Sequence, residues 1–320
     1  MRLARFLLLV IVVGIISCTS DIDLSQPSQP IPVVYFRMNP EDQTLYLTVT
    51  KTFSGNDNAF DMAKDTDKLF YSTLDIRLES WIDEYKVTEI RFEPVDRHQL
   101  PGSFSEKPGY CFKAQAAFDQ NSPDITHFRL IIKAPGLTSP AYAMIANIGP
   151  PIIQSRYDKQ VSLYPGSYKI GIAPGPGTAY CDLWCVFRYQ QYEGEWSNHS
   201  DTFLVRRDLR FETGRTDFLY PELFFNQIAA NIKPVSDTIV RKFISLDLIM
   251  YASDLYFRDY VDTYVNAGDL DLPPKGNAIN GLGLFTMVRT ATKDNMKFDR
   301  ITFDSLCLGQ YTKQLGFVRW

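Results

Sequence analysis

The sequence predicts a mainly β protein: an immunoglobulin-like β-sandwich over residues 31–149, then a second β-rich module over residues 150–320 carrying one or two helices. Three observations predict it. Apolar and polar residues alternate at period two in several short stretches. Pro-Gly pairs and polar clusters separate those stretches. Helical spacing occurs clearly in one place and more weakly in a second, both in the second half.

Taken in order, Thr44 to Thr52 places Leu45, Leu47 and Val49 on one face, the pattern of a half-buried strand. Ser54 to Asp67 is polar and irregular and reads as a loop. Asp75 to Ser80 alternates through Ile76 and Leu78, and Phe128 to Lys133 forms a short apolar strand closed by the turn Ala134-Pro135-Gly136-Leu137. Pro150-Pro151 marks a boundary or hinge, because consecutive prolines cannot join a central sheet. Beyond it, Val161 to Ile172, Cys181 to Tyr192 and Asp201 to Arg206 continue the β character. From Phe243 to Tyr251, one alternating set (Ile244, Leu246, Leu248, Met250) is wholly apolar and should be buried.

The clearest helix lies near residues 253–266. Ser253 can cap it, Asp254 suits the first turn, and Leu255, Phe257, Tyr260, Val261 and Tyr264 give an apolar face before Gly268. A second helical pattern runs from Tyr220 to Asn231 through Leu223, Phe224, Ile228 and Ala229. In Asn277 to Phe285, Gly281 and Gly283 allow another backbone or ring to approach closely, and Asn277 and Asn280 suit turns. Neither the downstream helix nor the lysine of a phosphate-cradling loop accompanies these glycines.

The N-terminus carries an address. Arg2 and Arg5 precede the apolar run Phe6 to Ile16, which falls short of the about 20 residues a spanning helix needs. Ile15-Ile16-Ser17-Cys18 then resembles a bacterial lipobox, with a small residue before a cysteine whose thiol accepts the lipid. Residues 1–17 are therefore expected to be a lipoprotein signal peptide and Cys18 the lipidation site, with several acyl chains giving stable anchoring. Residues 18–30, rich in Ser, Gln and Pro, read as a flexible tether. Asp21 and Asp23 resemble the acidic stretch behind the cysteine of surface-exported Bacteroidetes lipoproteins, which points to the outer membrane, on its periplasmic or its surface side.

Composition narrows the function classes. The 320 residues are 45% hydrophobic and 14% aromatic, enough for a real core. A net charge of −4 argues against nucleic-acid binding, which needs a basic face. Besides Cys18 there are Cys111, Cys181, Cys185 and Cys307. Cys181 and Cys185 would share a strand face about 13 Å apart, too far to bond without a turn, and buried thiols are the default expectation.

No catalytic residue and no metal or cofactor site can be assigned. His98, His127 and His199 lack zinc-hydrolase spacing, and Ser103, Ser167 and Ser305 lack a nucleophile elbow. Asp61, Asp65 and Asp67, with Asn56 and Asn58, do not follow the oxygen spacing of a calcium loop. Tyr189, Tyr192 and Trp196 cluster near Asn198 and His199, and are candidates for contact with a ligand or partner; a β core built of aromatics is the simpler account.

The C-terminal third carries a family resemblance. The Tyr/Phe-rich helix at 251–264, Pro273-Pro274 and the segment Asn277-Ala-Ile-Asn-Gly-Leu-Gly-Leu-Phe285, together with the lipobox and N-terminal sandwich, resemble the Bacteroidetes outer-membrane lipoproteins grouped as domain of unknown function 4249. The resemblance covers the order of the whole chain, but residues 251–285 carry its one motif. It implies an outer-membrane lipoprotein associated with TonB-dependent transport, and no reaction. The expectation is a non-enzymatic binding or assembly protein, accessory to a TonB-dependent receptor. The alternative is an extracellular hydrolase acting on polysaccharide or protein, which would need two facing carboxylates.

Overall fold

The structure, a computed structural model, describes residues 29–52, 65–97, 109–116, 118, 124–155, 159–163, 170–206, 217–236, 238–264 and 276–319. The expected leader, Cys18, the expected tether to residue 28, His98, Ser103, Ser167, Gly268, Pro273-Pro274, and Asn56, Asn58 and Asp61 lie outside these residues. The chain is mainly β, with several sheets.

The first half runs β1 (Pro32–Met38), β2 (Thr44–Lys51), α1 (Thr66–Leu69), β3 (Asp75–Ile82), β4 (Tyr85–Arg91), β5 (Glu93–Arg97), β6 (Gly109–Gln115), β7 (His127–Lys133) and β8 (Ala141–Ala146). One row of strands has the order β1-β2-β6-β5 and a separate sheet has the order β4-β3-β7-β8. Alternation aims both at a shared core. Val34, Phe36, Leu45, Leu47 and Val49 enter it from one sheet, and Ile76, Leu78, Phe128, Leu130 and Ile132 from the other. The loop expected from Ser54 to Asp67 ends earlier than its composition suggests. Asp65 accepts a hydrogen bond from the Asp67 amide and so starts α1 inside it.

The second half runs β9 (Ile152–Gln154), β10 (Gln160–Val161), β11 (Ile170–Ala173), β12 (Tyr180–Tyr192), β13 (Trp196–Arg206), β14 (Asp217–Leu219), α2 (Pro221–Asn231), β15 (Val240–Ser253), α3 (Leu255–Tyr264), β16 (Leu282–Phe298) and α4 (Arg300–Leu308). A short 3-10 turn, Lys313–Leu315, follows. Among the described residues no helix is long and apolar enough to cross a membrane. The long strands β13-β12-β15-β16 are covered on one face by α2, α4 and the three-stranded sheet β14-β11-β9. Phe224 and Ile228 of α2, Leu306 of α4 and Ile172 of β11 belong with Leu183, Phe187 and Leu248 to this second core. The opposite face carries the cavity described below.

Strand β16 joins the halves. Its first residues pair in parallel with β1, from Val33↔Leu282 to Met38↔Met287, and its later residues pair antiparallel with β15. The main sheet therefore runs β13-β12-β15-β16-β1-β2-β6-β5, with β10 on the far end of β16. Phe285 and Met287 belong to the first core, and Met296 to the second. Pro150-Pro151 lies between β8 and β9, outside any strand.

The glycines at this junction are sites of close backbone approach. Gly283 has φ +101°, and a Cβ there would stand 1.9 Å from the Val34 carbonyl oxygen. A Cβ on Gly281 would stand 2.9 Å from the Pro32 carbonyl oxygen. Asn277 continues the ladder with its side chain: it accepts from the Phe285 amide (2.9 Å) and donates to the Phe285 carbonyl (2.8 Å). Asn280 adopts φ +56°.

Three local expectations change. Ile244 is half-exposed and Phe243 is buried, the reverse of the predicted alternation. A bulge causes it, because Arg188 pairs Ser245 while Tyr189 pairs Phe243, and the extra residue flips the strand's faces below that point. The helix near 253–266 is present as α3, but Asp254 caps it instead of Ser253, accepting from the Phe257 amide at 3.0 Å, and Leu255 points outward. Helix α4 is additional to the helices expected.

Candidate functional site

Along β12 the alternation sorts residue types cleanly. Cys181, Leu183, Cys185 and Phe187 face the second core. Asp182 and Trp184 face the other way, and cross-strand pairing sets Asp182 beside Tyr251 and Trp184 beside Ile249 of β15. A half-exposed patch of two aromatics, one aliphatic and one carboxylate thus lies on the open side of the sheet. Thr202 of β13 flanks it, and Tyr180 and Ser253 close one end.

Two other elements turn the patch into a cavity of about 410 Å³. Arg37 projects from β1 with its guanidinium 5.5 Å from the Tyr251 ring centroid, a cation–π distance. Phe257 of α3 meets Tyr180 edge to face at 5.3 Å. Helix α3 is held there by Asp254, whose carboxylate accepts from Thr286 Oγ1 (2.8 Å), the Met287 amide (2.9 Å) and the Phe257 amide. Burial pushes the Asp254 carboxyl above its ordinary range, against those hydrogen bonds. The position of α3 is therefore fixed to β16 by one buried acid.

The lining has features of a small-molecule site: four aromatic rings and Ile249, the polar side chains of Arg37, Asp182, Thr202 and Ser253, and a volume in the usual range. It lacks an activated thiol. Cys111, Cys181, Cys185 and Cys307 are all free and buried. Burial raises the Cys181 and Cys185 thiols far above their ordinary range and the Cys307 thiol to about 11. Among the described residues no three His, Cys, Asp or Glu side chains group together as metal ligands.

Tyr189, Tyr192 and Trp196 do not line this cavity. Tyr189 is buried in the second core, stacked on His199 at 5.2 Å with the Arg241 guanidinium 5.3 Å from its ring centroid. Tyr192 and Trp196 are exposed and pair at 5.3 Å across the β12–β13 hairpin tip. Tyr189 supports that hairpin from behind and offers no face to a partner. His127 stacks on Trp81 at the end of the β4-β3-β7-β8 sheet, beside Asp83, Glu84, Arg129 and Tyr142. Trp184 and Asp182 were visible in the sequence as the polar and aromatic set opposite the cysteines of one strand. Arg37 carried no such signal, since it arrives from a strand distant in sequence. Compared with family models, with curated proteins and with solved structures, the chain matches none.

Proposed function

We propose that this protein is a lipid-anchored, non-enzymatic binding protein of the outer membrane or cell surface, whose small-molecule site is the cavity over Trp184 and Tyr251. The observation that carries this reading is the patch itself. A sheet face open to water holds two aromatic rings, a carboxylate and an arginine in one concavity. Among its described lining residues Asp182 is the one carboxylate, whereas hydrolysis of a glycoside takes a facing pair. Orientation of a bound ligand takes only one.

The address rests on the leader, the Cys18 lipobox and the resemblance to domain of unknown function 4249 lipoproteins, and so does the role beside a TonB-dependent receptor. The strand orders β1-β2-β6-β5 and β4-β3-β7-β8 around one core support an immunoglobulin-like N-terminal module. That module would act as the scaffold from which β1 lends Arg37 to the site.

Two measurements test the reading. Cys18→Ala is expected to abolish incorporation of labelled palmitate and release the protein from membranes; retained label overturns the anchor. Tryptophan emission of the detergent-purified chain is expected to shift with at least one of three probe sets (neutral sugars, amino acids or dipeptides) and to lose that shift in Trp184→Ala. Silence towards all three sinks the cavity as a ligand site.

A further inference from the structure

We propose that the cavity ligand is a neutral carbohydrate, with one pyranose ring laid on Trp184 beside Tyr251 and its hydroxyls gripped by Asp182 and Arg37. The inference rests on the binding reading above and specifies its ligand class. Charge argues for neutrality: among the described lining residues Arg37 and Asp182 are the charged groups, one of each sign. A ligand of net charge would meet one of them unfavourably in a half-enclosed site.

Shape argues for a ring with an apolar face and a polar rim. Trp184 and Tyr251 are diagonal neighbours on adjacent strands, roughly 7 Å apart at Cβ. Both rings are half-exposed on the cavity side, and the C–H face of a pyranose stacks on an aromatic ring of this kind. Around the floor the chemistry is polar. Asp182 beside Tyr251 presents a carboxylate, which accepts from hydroxyls. Arg37, held over the Tyr251 ring, offers a planar fork of donors to hydroxyl or ring oxygens. Thr202 adds a hydroxyl at the open side, and Phe257 walls off the helix side.

The test is saturation-transfer NMR on the full chain, purified in a detergent without a sugar headgroup. Maltose, cellobiose and lactose serve as neutral probes, glucuronate as an anionic one, and glycyl-tyrosine as a zwitterionic one. At least one disaccharide is expected to bind through the C–H protons of one ring face. Trp184→Ala should weaken that binding about tenfold or more, as loss of a central aromatic anchor does. Asp182→Asn and Arg37→Gln should each weaken it as well, whereas Trp184→Phe should retain most of it with an unchanged unfolding midpoint. Disaccharide binding that survives Trp184→Ala overturns the proposed site. Binding of glycyl-tyrosine or glucuronate without any disaccharide overturns the carbohydrate class and leaves the binding reading standing. No binding by any probe overturns the carbohydrate inference outright.

Discussion

The two halves of the molecule treat their open sheet faces in opposite ways. On the β4-β3-β7-β8 sheet, the outer face carries an ion-pair ladder. Arg77 meets Asp75 at 2.6 Å and Glu89 at 3.7 Å, and Lys86 meets Glu89 at 2.8 Å and Glu79 at 3.4 Å. Cross-strand charge of this kind keeps a sheet face hydrated and discourages edge or face association. On the β13-β12-β15-β16 sheet the pattern starts in the same manner, with Arg188 on Asp247 at 2.5 Å. It then changes within two residue pairs to Trp184, Ile249, Tyr251 and Asp182. Apart from Tyr180, which packs on Phe257 of α3, the aromatics on that side stand away from the second core. The contrast separates a face kept hydrated by paired charges from one that is largely aromatic and aliphatic.

The largest way to break the comparison is to cut the halves apart. Gly283→Ala places a Cβ against the Val34 carbonyl at a backbone angle suited to glycine, so a loss of about 4 kcal/mol or more is expected in urea denaturation. A loss below about 1 kcal/mol would mean that the β1–β16 joint tolerates a side chain and carries little of the stability.

Next, the two faces of a single sheet can be weighed. Leu248→Ala, on the core face of β15, should cost about 3 kcal/mol, whereas Trp184→Ala, on the cavity face of β12, should cost less than about 1 kcal/mol. Equal losses in the same denaturation series would make Trp184 a structural residue and erase the contrast.

The acids at the site and beside it should respond to pH with opposite slopes. The Arg188 hydrogen bond holds the Asp247 carboxyl below its usual 3.8, so its contribution is present above that value and lost as pH falls through the depressed one. Burial holds Asp254 above 3.8, so its contribution is complete below that value and lost as pH rises through the raised one. The stability deficit of Asp247→Asn relative to the native chain should therefore vanish in acid. The difference between Asp254→Asn and the native chain should drift the other way, in the variant's favour as pH rises. Parallel slopes would contradict the assignment. The smallest effect belongs to the ladder, where Glu89→Gln should cost less than about 1 kcal/mol and the loss should fade in high salt.

Much of the fold was legible in local pattern. The period-two rows of β2 and β3, the short apolar strand β7 and the helical spacing of α2 follow from local pattern, and the cysteines are buried, as free thiols are by default. What local pattern misses is long-range. The bulge opposite Arg188 exchanges the faces of β15 with no sequence mark, and the pairing of β1 with β16 joins residues from opposite ends of the chain. Helix α4 did leave a signal: Asp299 accepts from the Thr302 amide at 2.7 Å, and Gly309 ends the helix. Its short apolar stripe was masked by neighbouring polar residues. At the site, the conspicuous cluster Tyr189, Tyr192 and Trp196 drew attention because it is dense in sequence. Trp184, Asp182, Tyr251 and Arg37 are scattered across three strands and meet only after folding.

The β1–β16 pairing also dictates an order of events. β1 has β2 as an early neighbour, but its other side stays bare until residues 282–287 have been made. The main sheet cannot close, and the cavity cannot acquire Arg37, while the ribosome still holds the last part of the chain. Contacts of such long range make for slow folding, because loop closure must precede any gain from pairing. Until those residues are made, the polypeptide stays open along one edge of β1. It then locks, with its last long strand acting as the bolt.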